Sequence, residues 1–451
     1  MAAEDLKIEL KPGTPRRVRS GDREHVRHAF GIHLWTRVAQ PRSRLPAYTW
    51  ALVLLAWLLP LSGLGSDPVV IVLSWDGTRH DYPERTSLPG LERMEREGAR
   101  ASRLVPVFPA STFPNHVTLA TGTYVDRHGI VANRFQDRER GRFDYSNDAS
   151  WLEAEPLWVA AERQGIRAAV FFWVGSQTDW NGVGASYRKS RFDGRVPESK
   201  KVDQTLAWLD LPDEERPRLI LSWWHGADSV GHRRGPEDRE VARQLARQDQ
   251  QLVRLLTGLD KRSAWSNTTL FVVSDHGMAG ATRSIDLVGV LQREGIGARA
   301  FNGGGTAYLL LKDRRQRGRA LEVLARMENI EAYASEDMPA GLRGHHPRRS
   351  GDIVVLTRPP YTFSRLSWAQ RRLGWLVGAH GTHGYTPDQP DMGAIFYALG
   401  RGVPRGAKLG EVRALDLAAS VARLLGIDPP RDSEGQPISG LRYEATEVEG
   451  P

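Results

Sequence analysis

The chain has 451 residues, no cysteine and a formal net charge of +8. Without cysteine, disulfides, thiolate catalysis and Cys-based zinc sites are excluded, and cysteine usage says nothing about redox compartment. Residues 1–46 carry ten basic side chains against five acidic ones, so the remainder is close to neutral and gives no reason to expect nucleic-acid binding.

In chain order, residues 1–44 are polar and basic without apolar periodicity and read as a disordered tail. Within 45–66, the run Tyr48-Thr-Trp-Ala-Leu-Val-Leu-Leu-Ala-Trp-Leu-Leu-Pro-Leu-Ser-Gly-Leu-Gly-Ser66 follows Arg42 and Arg44 and ends in small residues. A spanning helix needs roughly 20 apolar residues, and this run is shorter. It reads as a signal peptide, with an uncleaved anchor that tethers the protein to a membrane as the alternative. Either way the body is expected to be exported, periplasmic or extracellular.

The body, 67–430, alternates apolar runs with amphipathic stretches. Strands are predicted at 69–76, 168–173, 218–224, 268–276, 307–311, 352–356 and 395–399, and helices at 88–97, 155–164, 236–259, 316–329 and 416–425. This succession predicts an α/β fold, a mainly parallel sheet with helices on both faces. Segment 175–215 is polar and aromatic without clear periodicity and reads as an insertion over a site; 431–451 reads as a C-terminal tail. Trp173, Trp223 and Trp224 read as core.

Ligands of open α/β sheets bind beyond the carboxyl ends of the strands. Here those ends carry Asp76, then Asp228 and His232, then Asp275 and His276, with His383 in a glycine-rich loop before the last strand. Asp and His without Cys suit a catalytic zinc site, or manganese or iron. The stretch Phe108-Pro-Ala-Ser-Thr-Phe-Pro-Asn-His116 predicts a helix start with Thr112 as N-cap, running to Thr121 and stopping at Gly122. That places a hydroxyl where phosphate oxygens bind readily.

Val72-Leu-Ser-Trp-Asp-Gly-Thr-Arg79, the 108–116 stretch, Asp228-Ser-Val-Gly-His232, Val273-Ser-Asp-His-Gly277 and Gly381-Thr-His-Gly384, in this order, resemble the motif set of the type I phosphodiesterase/nucleotide pyrophosphatase family of the alkaline phosphatase superfamily. The resemblance spans roughly residues 69–430 and implies an alkaline phosphatase-like core and two zinc ions. Asp228, His232 and His383 would hold one; Asp76, Thr112, Asp275 and His276 the other. It implies double displacement, in which Thr112 takes the phosphoryl or nucleotidyl group and hydrolysis then releases it.

No Lys or Arg stands between Pro106 and Val117. A monoester dianion usually meets such a cation, so a singly charged diester is the expected substrate, a small-molecule phosphodiester or nucleotide. Phe113 suits an apolar arm or a base. By the resemblance, Asn133 would contact a non-bridging phosphate oxygen and Tyr187 would be a second base-stacking aromatic, a plain packing role being the alternative. His225 is either an outer group of the site or without a role. Rival readings are a phosphomonoesterase or phosphonate hydrolase of the same superfamily, and a catalytically silent, membrane-tethered binding protein.

Overall fold

The computed structural model describes residues 67–189, 191–363 and 380–443, the side chains of Asn302 and His380 aside. The predicted tail 1–44, the apolar segment 45–66 and the end of the C-terminal tail lie outside the described residues. Among the described residues no helix is long and apolar enough to cross a membrane.

The main sheet has eight strands: β1 Val69–Trp75, β2 Ala99–Val105, β3 Ala168–Phe171, β4 Tyr187–Lys189, β5 Leu219–Trp224, β6 Thr268–Val273, β7 Phe396–Gly400 and β8 Ala407–Arg413. Their spatial order is β8-β2-β7-β6-β1-β5-β3-β4. Only β7 runs antiparallel to its neighbours, β6 and β2. All seven residues of β1 are buried, as a strand covered by helices on both faces requires. It pairs in parallel with β5 (Trp75 opposite Trp224) and β6 (Ser74 opposite Val273), which brings three strand ends to one edge.

The longer described helices that accompany this sheet are α1 Pro89–Glu97, α2 Thr112–Thr121, α3 Leu157–Arg163, α4 Glu198–Leu209, α5 Gly226–Arg234, α6 Arg239–Lys261 and α7 Asp416–Leu425. The side chain of Asp238 caps α6 by accepting from Glu240 N. Val241, Leu245, Leu252, Leu255, Leu256 and Leu259 form its buried stripe, the spacing of one helix face. Truncating Leu252 to Ala there would cost about 2–5 kcal/mol.

Two predicted strands belong elsewhere. Thr306–Leu311 and Ile353–Thr357 lie with Ala298–Asn302 and Ile330–Ala334 in a separate four-stranded antiparallel sheet. Its own core includes Leu291, Ile296, Leu309, Leu324, Ile353 and Val355. A short apolar run buried on both faces reads alike in either setting, because periodicity carries no information about partner direction. The helix expected over 316–329 spans Arg317–Ala325 and gives way to strand Ile330–Ala334. Strands β2 and β8 have no counterpart in the sequence reading, since Arg100, Arg103, Lys408, Glu411 and Arg413 break up their apolar pattern.

Segment 175–215 contains edge strand β4 and helix α4, so part of it extends the main sheet. Residues 431–443 pack back on the body: Glu434 N donates to Gly122 O and Arg442 N to Gly402 O.

Candidate active site

Most of the candidate side chains sit just past the end of a main-sheet strand. Asp76 follows β1; Asp228 and His232 share one face of α5, four residues apart, after β5; Asp275 and His276 follow β6. The turn after Asp76 needs glycine. Gly77 has φ +65°, and a Cβ there would lie 2.8 Å from the Asp228 Cβ, so no side chain fits between the two acidic ligand candidates. Strand His380–Thr382 pairs with Ala279–Ala281 and delivers His383 to the cluster.

Thr112 is the first residue of α2 rather than its cap. Ser111 occupies the cap position, without a side-chain capping bond, and the helix ends at Gly122 as predicted. Asn115 takes over at this end, accepting from Val107 N and donating to the carbonyls of Val107, Pro109 and Ser111. The Thr112 hydroxyl is therefore free of capping duty and lies 3.1 Å from His276 Nε2.

Around His276 Nε2 stand Asp275 Oδ2 at 3.2 Å and Asp76 Oδ1 at 3.6 Å. His232 Nε2 and His383 Nε2 lie 3.3 and 3.8 Å from Asp228 Oδ1. The His276 and His383 rings stack with centroids 3.8 Å apart. Two groups, Asp228 with His232 and His383, and Asp76 with Asp228 and His276, each bring their ligand atoms within 4.8 Å of one another. The structure thus brings together all seven residues predicted to hold metal.

The donor set fits divalent cations. Asp76 Oδ1, Asp228 Oδ1, Asp275 Oδ2 and His383 Nδ1 are buried without a hydrogen-bond partner. Buried polar atoms are nearly always paired, so three unpaired carboxylate oxygens in one place suit a bound cation. His232 Nδ1 and His276 Nδ1 face the carbonyls of Gly381 and Gly277 at 2.9 and 2.8 Å. A carbonyl only accepts, so each Nδ1 carries a proton, and Nε2 is the nitrogen turned towards the carboxylates.

Electrostatics point the same way. Burial, with Asp275 and Asp228 nearby, raises the Asp76 carboxyl well above the ordinary range. Burial would also raise Asp228, but the imidazoles of His232, His383 and His276 outweigh it and hold that carboxyl low. Burial pushes His383 well down, helped by His276 and His232. His232, pushed down by burial, is carried up to about 9 by Asp228. Three carboxylates crowded together call for positive charge between them.

Asn133 is held by its oxygen: Oδ1 accepts from Phe113 N at 2.8 Å. Its amide nitrogen remains as a neutral donor. Phe113 is only 2% exposed, with Phe143, Tyr145 and Trp223 meeting its ring edge-on at 5.9, 5.2 and 6.3 Å. The exposed ring beside it is Tyr145, at 45%. Tyr187 is not brought to this place. It pairs with Ala169 towards the amino end of β3, packs near Trp208 and donates its hydroxyl to Glu215 O. Phe192, from the same segment, reaches the site side instead and stacks on Trp223 at 4.8 Å.

Sequence reading missed two groups. Trp223, taken for core, donates Nε1–H to Asp76 Oδ2 at 2.9 Å. His116 donates Nδ1–H to Thr112 O at 2.9 Å, lies 3.3 Å from Asp275 Oδ2 and takes a hydrogen bond from Ser74 Oγ. The signal for His116 was its place one helical turn after Thr112; for Trp223 there was none, since side-chain direction at a strand end depends on the sheet.

A sequence model of the type I phosphodiesterase/nucleotide pyrophosphatase family matches residues 70–386. An uncharacterized pyrophosphatase/phosphodiesterase of Schizosaccharomyces pombe is 31% identical over 393 residues, covering 83% of this chain and 79% of its own. An ectonucleotide pyrophosphatase/phosphodiesterase of Caenorhabditis elegans is 28% identical over 82% of this chain, which spans 48% of that relative's length. The structure of human ectonucleotide pyrophosphatase/phosphodiesterase 5 matches with a TM-score of 0.73 and 25% identity, covering 80% of this chain and 96% of that one. The chain belongs to the type I phosphodiesterase/nucleotide pyrophosphatase family, a family of hydrolases with the alkaline phosphatase type of α/β core.

Proposed function

We propose that the chain hydrolyses phosphodiester or pyrophosphate bonds of nucleotides or related small diesters through a covalent intermediate on Thr112. The observation that carries this reading is the Thr112 hydroxyl at 3.1 Å from His276 Nε2, beside a cluster of buried, unpaired ligand atoms. Asp76, Thr112, Asp275 and His276 would hold one zinc ion, and Asp228, His232 and His383 the second. Such a pair lowers the pKa of a bound hydroxyl and neutralises charge on the attacking and leaving oxygens.

The chain's own residues do the rest. Helix α2, ten residues long, turns its amino end towards the phosphoryl group and favours negative charge there. His116 fixes the first turn of that helix through the Thr112 carbonyl. Asn133, with its oxygen taken by Phe113 N, offers an N–H to a non-bridging oxygen. A neutral donor and the lack of Lys or Arg over 106–117 favour a singly charged diester over a dianionic monoester. Phe113, Tyr145, Trp223 and Phe192 supply an aromatic wall for a base or apolar arm. Export through segment 45–66 belongs to the same proposal.

The test compares rates on a bis-aryl phosphate diester and an aryl monoester, before and after metal removal. The diester is expected to be preferred and the activity to return with zinc; a clear monoester preference sinks the diesterase reading. Thr112→Ala should lower kcat by about four orders of magnitude or more with metal still bound. Turnover retained in that variant removes Thr112 as nucleophile.

A further inference from the structure

Asp76 has one carboxylate oxygen occupied and one free. Trp223 Nε1–H donates to Oδ2 at 2.9 Å, while Oδ1 has no partner and lies 3.6 Å from His276 Nε2. Pinning one oxygen orients the carboxylate and leaves the other as its ligand atom. The indole is clamped in turn. Phe192 stacks on it at 4.8 Å and 27°, and the His116 ring lies 4.8 Å away.

Its backbone is held by an unusual group. Asp76 N takes the Trp224 carbonyl on the β1 side. Carbonyls alternate along a strand, so that of Trp223 turns to the other side, where β3 ends with Phe171 opposite Ser222. No ladder partner is there. Lys201 of α4 supplies one: its Nζ donates to Trp223 O at 2.8 Å, and the residue is fully buried. Burial pulls this ammonium down to about 8, a sign that the placement is unfavourable for the lysine itself.

We propose that Lys201 and Trp223 are positioning residues for Asp76, Lys201 closing the end of β5 and the Trp223 indole presenting Asp76 Oδ1 to the metal. The proposal rests on the two-metal reading above. It assigns Trp223 two jobs, since the same ring forms part of the aromatic wall. The N–H serves the metal ligand, and the ring backs Phe113 and Phe192 in that wall.

Zinc affinity of the full chain, measured by competition with a chelator, separates the two. Trp223→Phe keeps an aromatic ring but loses the donor, and affinity at one of the two ions is expected to fall roughly 10- to 100-fold. Lys201→Met should weaken the same ion by less, and Lys201→Arg should restore it. Phe192→Leu should raise KM for the diester and lower zinc affinity far less than Trp223→Phe, because the indole donor stays. The proposal is overturned if Trp223→Phe and Lys201→Met both hold two ions as tightly as wild type, or if Phe192→Leu loses zinc as readily as Trp223→Phe. Should Trp223→Phe unfold, the Lys201→Met and Lys201→Arg pair decides. A wild type that binds no divalent ion overturns the two-metal reading and this inference with it, whereas two ions held equally by all variants overturn the inference alone.

Discussion

Asp352, just before strand Ile353–Thr357 of the antiparallel sheet, and Asp76, at the edge of the main sheet, are both buried, 0% and 2% exposed, and the protein treats them in opposite ways. Asp352 Oδ1 lies 2.7 Å from Arg138 and 2.8 Å from Arg314, and Oδ2 accepts from Leu311 N. Asp137 is handled likewise, by the amides of Glu139 and Arg140 and by Arg349 Nε. These carboxylates are complete with what the chain provides. Asp76, Asp228 and Asp275 each keep an oxygen without a partner. Burial therefore does not distinguish a structural acid from a functional one. Satisfaction does, because an unpaired buried charge persists only where something else is meant to meet it.

The largest effect is expected where a complete network is broken. Arg349→Met strips Asp137 and Glu153 of a guanidinium that is 1% exposed. Taking the buried cation from Asp137, which keeps only the amides of Glu139 and Arg140 as close donors, should cost about 3–5 kcal/mol in urea unfolding, with zinc content unchanged. Loss of zinc at full stability would contradict the division drawn above.

Next in size is a pH effect from His128, which is fully buried and satisfied as a neutral ring. Its Nδ1 accepts from Ile130 N and its Nε2 lies 3.1 Å from Thr118 Oγ1. Burial, with Arg349 nearby, lowers it to about 3. Its unfolded value is near 6.5, so between those limits the unfolded chain binds a proton that the folded one refuses. Stability is fully present above pH 6.5 and falls as pH drops towards 3, with a slope contribution of about 1.4 kcal/mol per pH unit. His128→Gln should remove one proton's worth of that slope; an unchanged slope would mean that the ring is charged in the fold.

The smallest stability change is expected at the site. In metal-stripped protein at pH 7, Asp76→Asn should unfold within about 1 kcal/mol of wild type or later, although it is expected to weaken metal binding strongly. The carboxyl's raised pKa means that its charged form is disfavoured in the fold above the unfolded value. Asparagine keeps an acceptor for Trp223. A drop as large as that of Arg349→Met would place Asp76 with the structural acids.

Much of this site was legible in the chain itself. Asp76, Asp275 and His276 end apolar runs that only a buried strand would carry, and the spacing of Asp228 and His232 puts them on one helix face. Helix α2 was predicted to its last residue. Its first residue was not: whether Thr112 or Ser111 is the cap depends on where the backbone turns helical, and neither residue's type decides that. Tyr187 and Phe192 lie five positions apart in a segment without periodicity, and only the pairing of β4 with β3 sends one into packing and the other towards Trp223.

By itself the sequence determined the mainly parallel α/β class, through runs of hydrophobicity that are local along the chain, and singled out the candidate ligands and the candidate nucleophile Thr112, through motifs that are equally local. The tertiary structure alone decided that strands 306–311 and 353–357 form a second, antiparallel sheet, that Trp223 faces Asp76, and that Lys201 completes β5. Each of those depends on where one chain segment ends beside another. That is a property of register and strand direction, and no stretch of residues carries it alone.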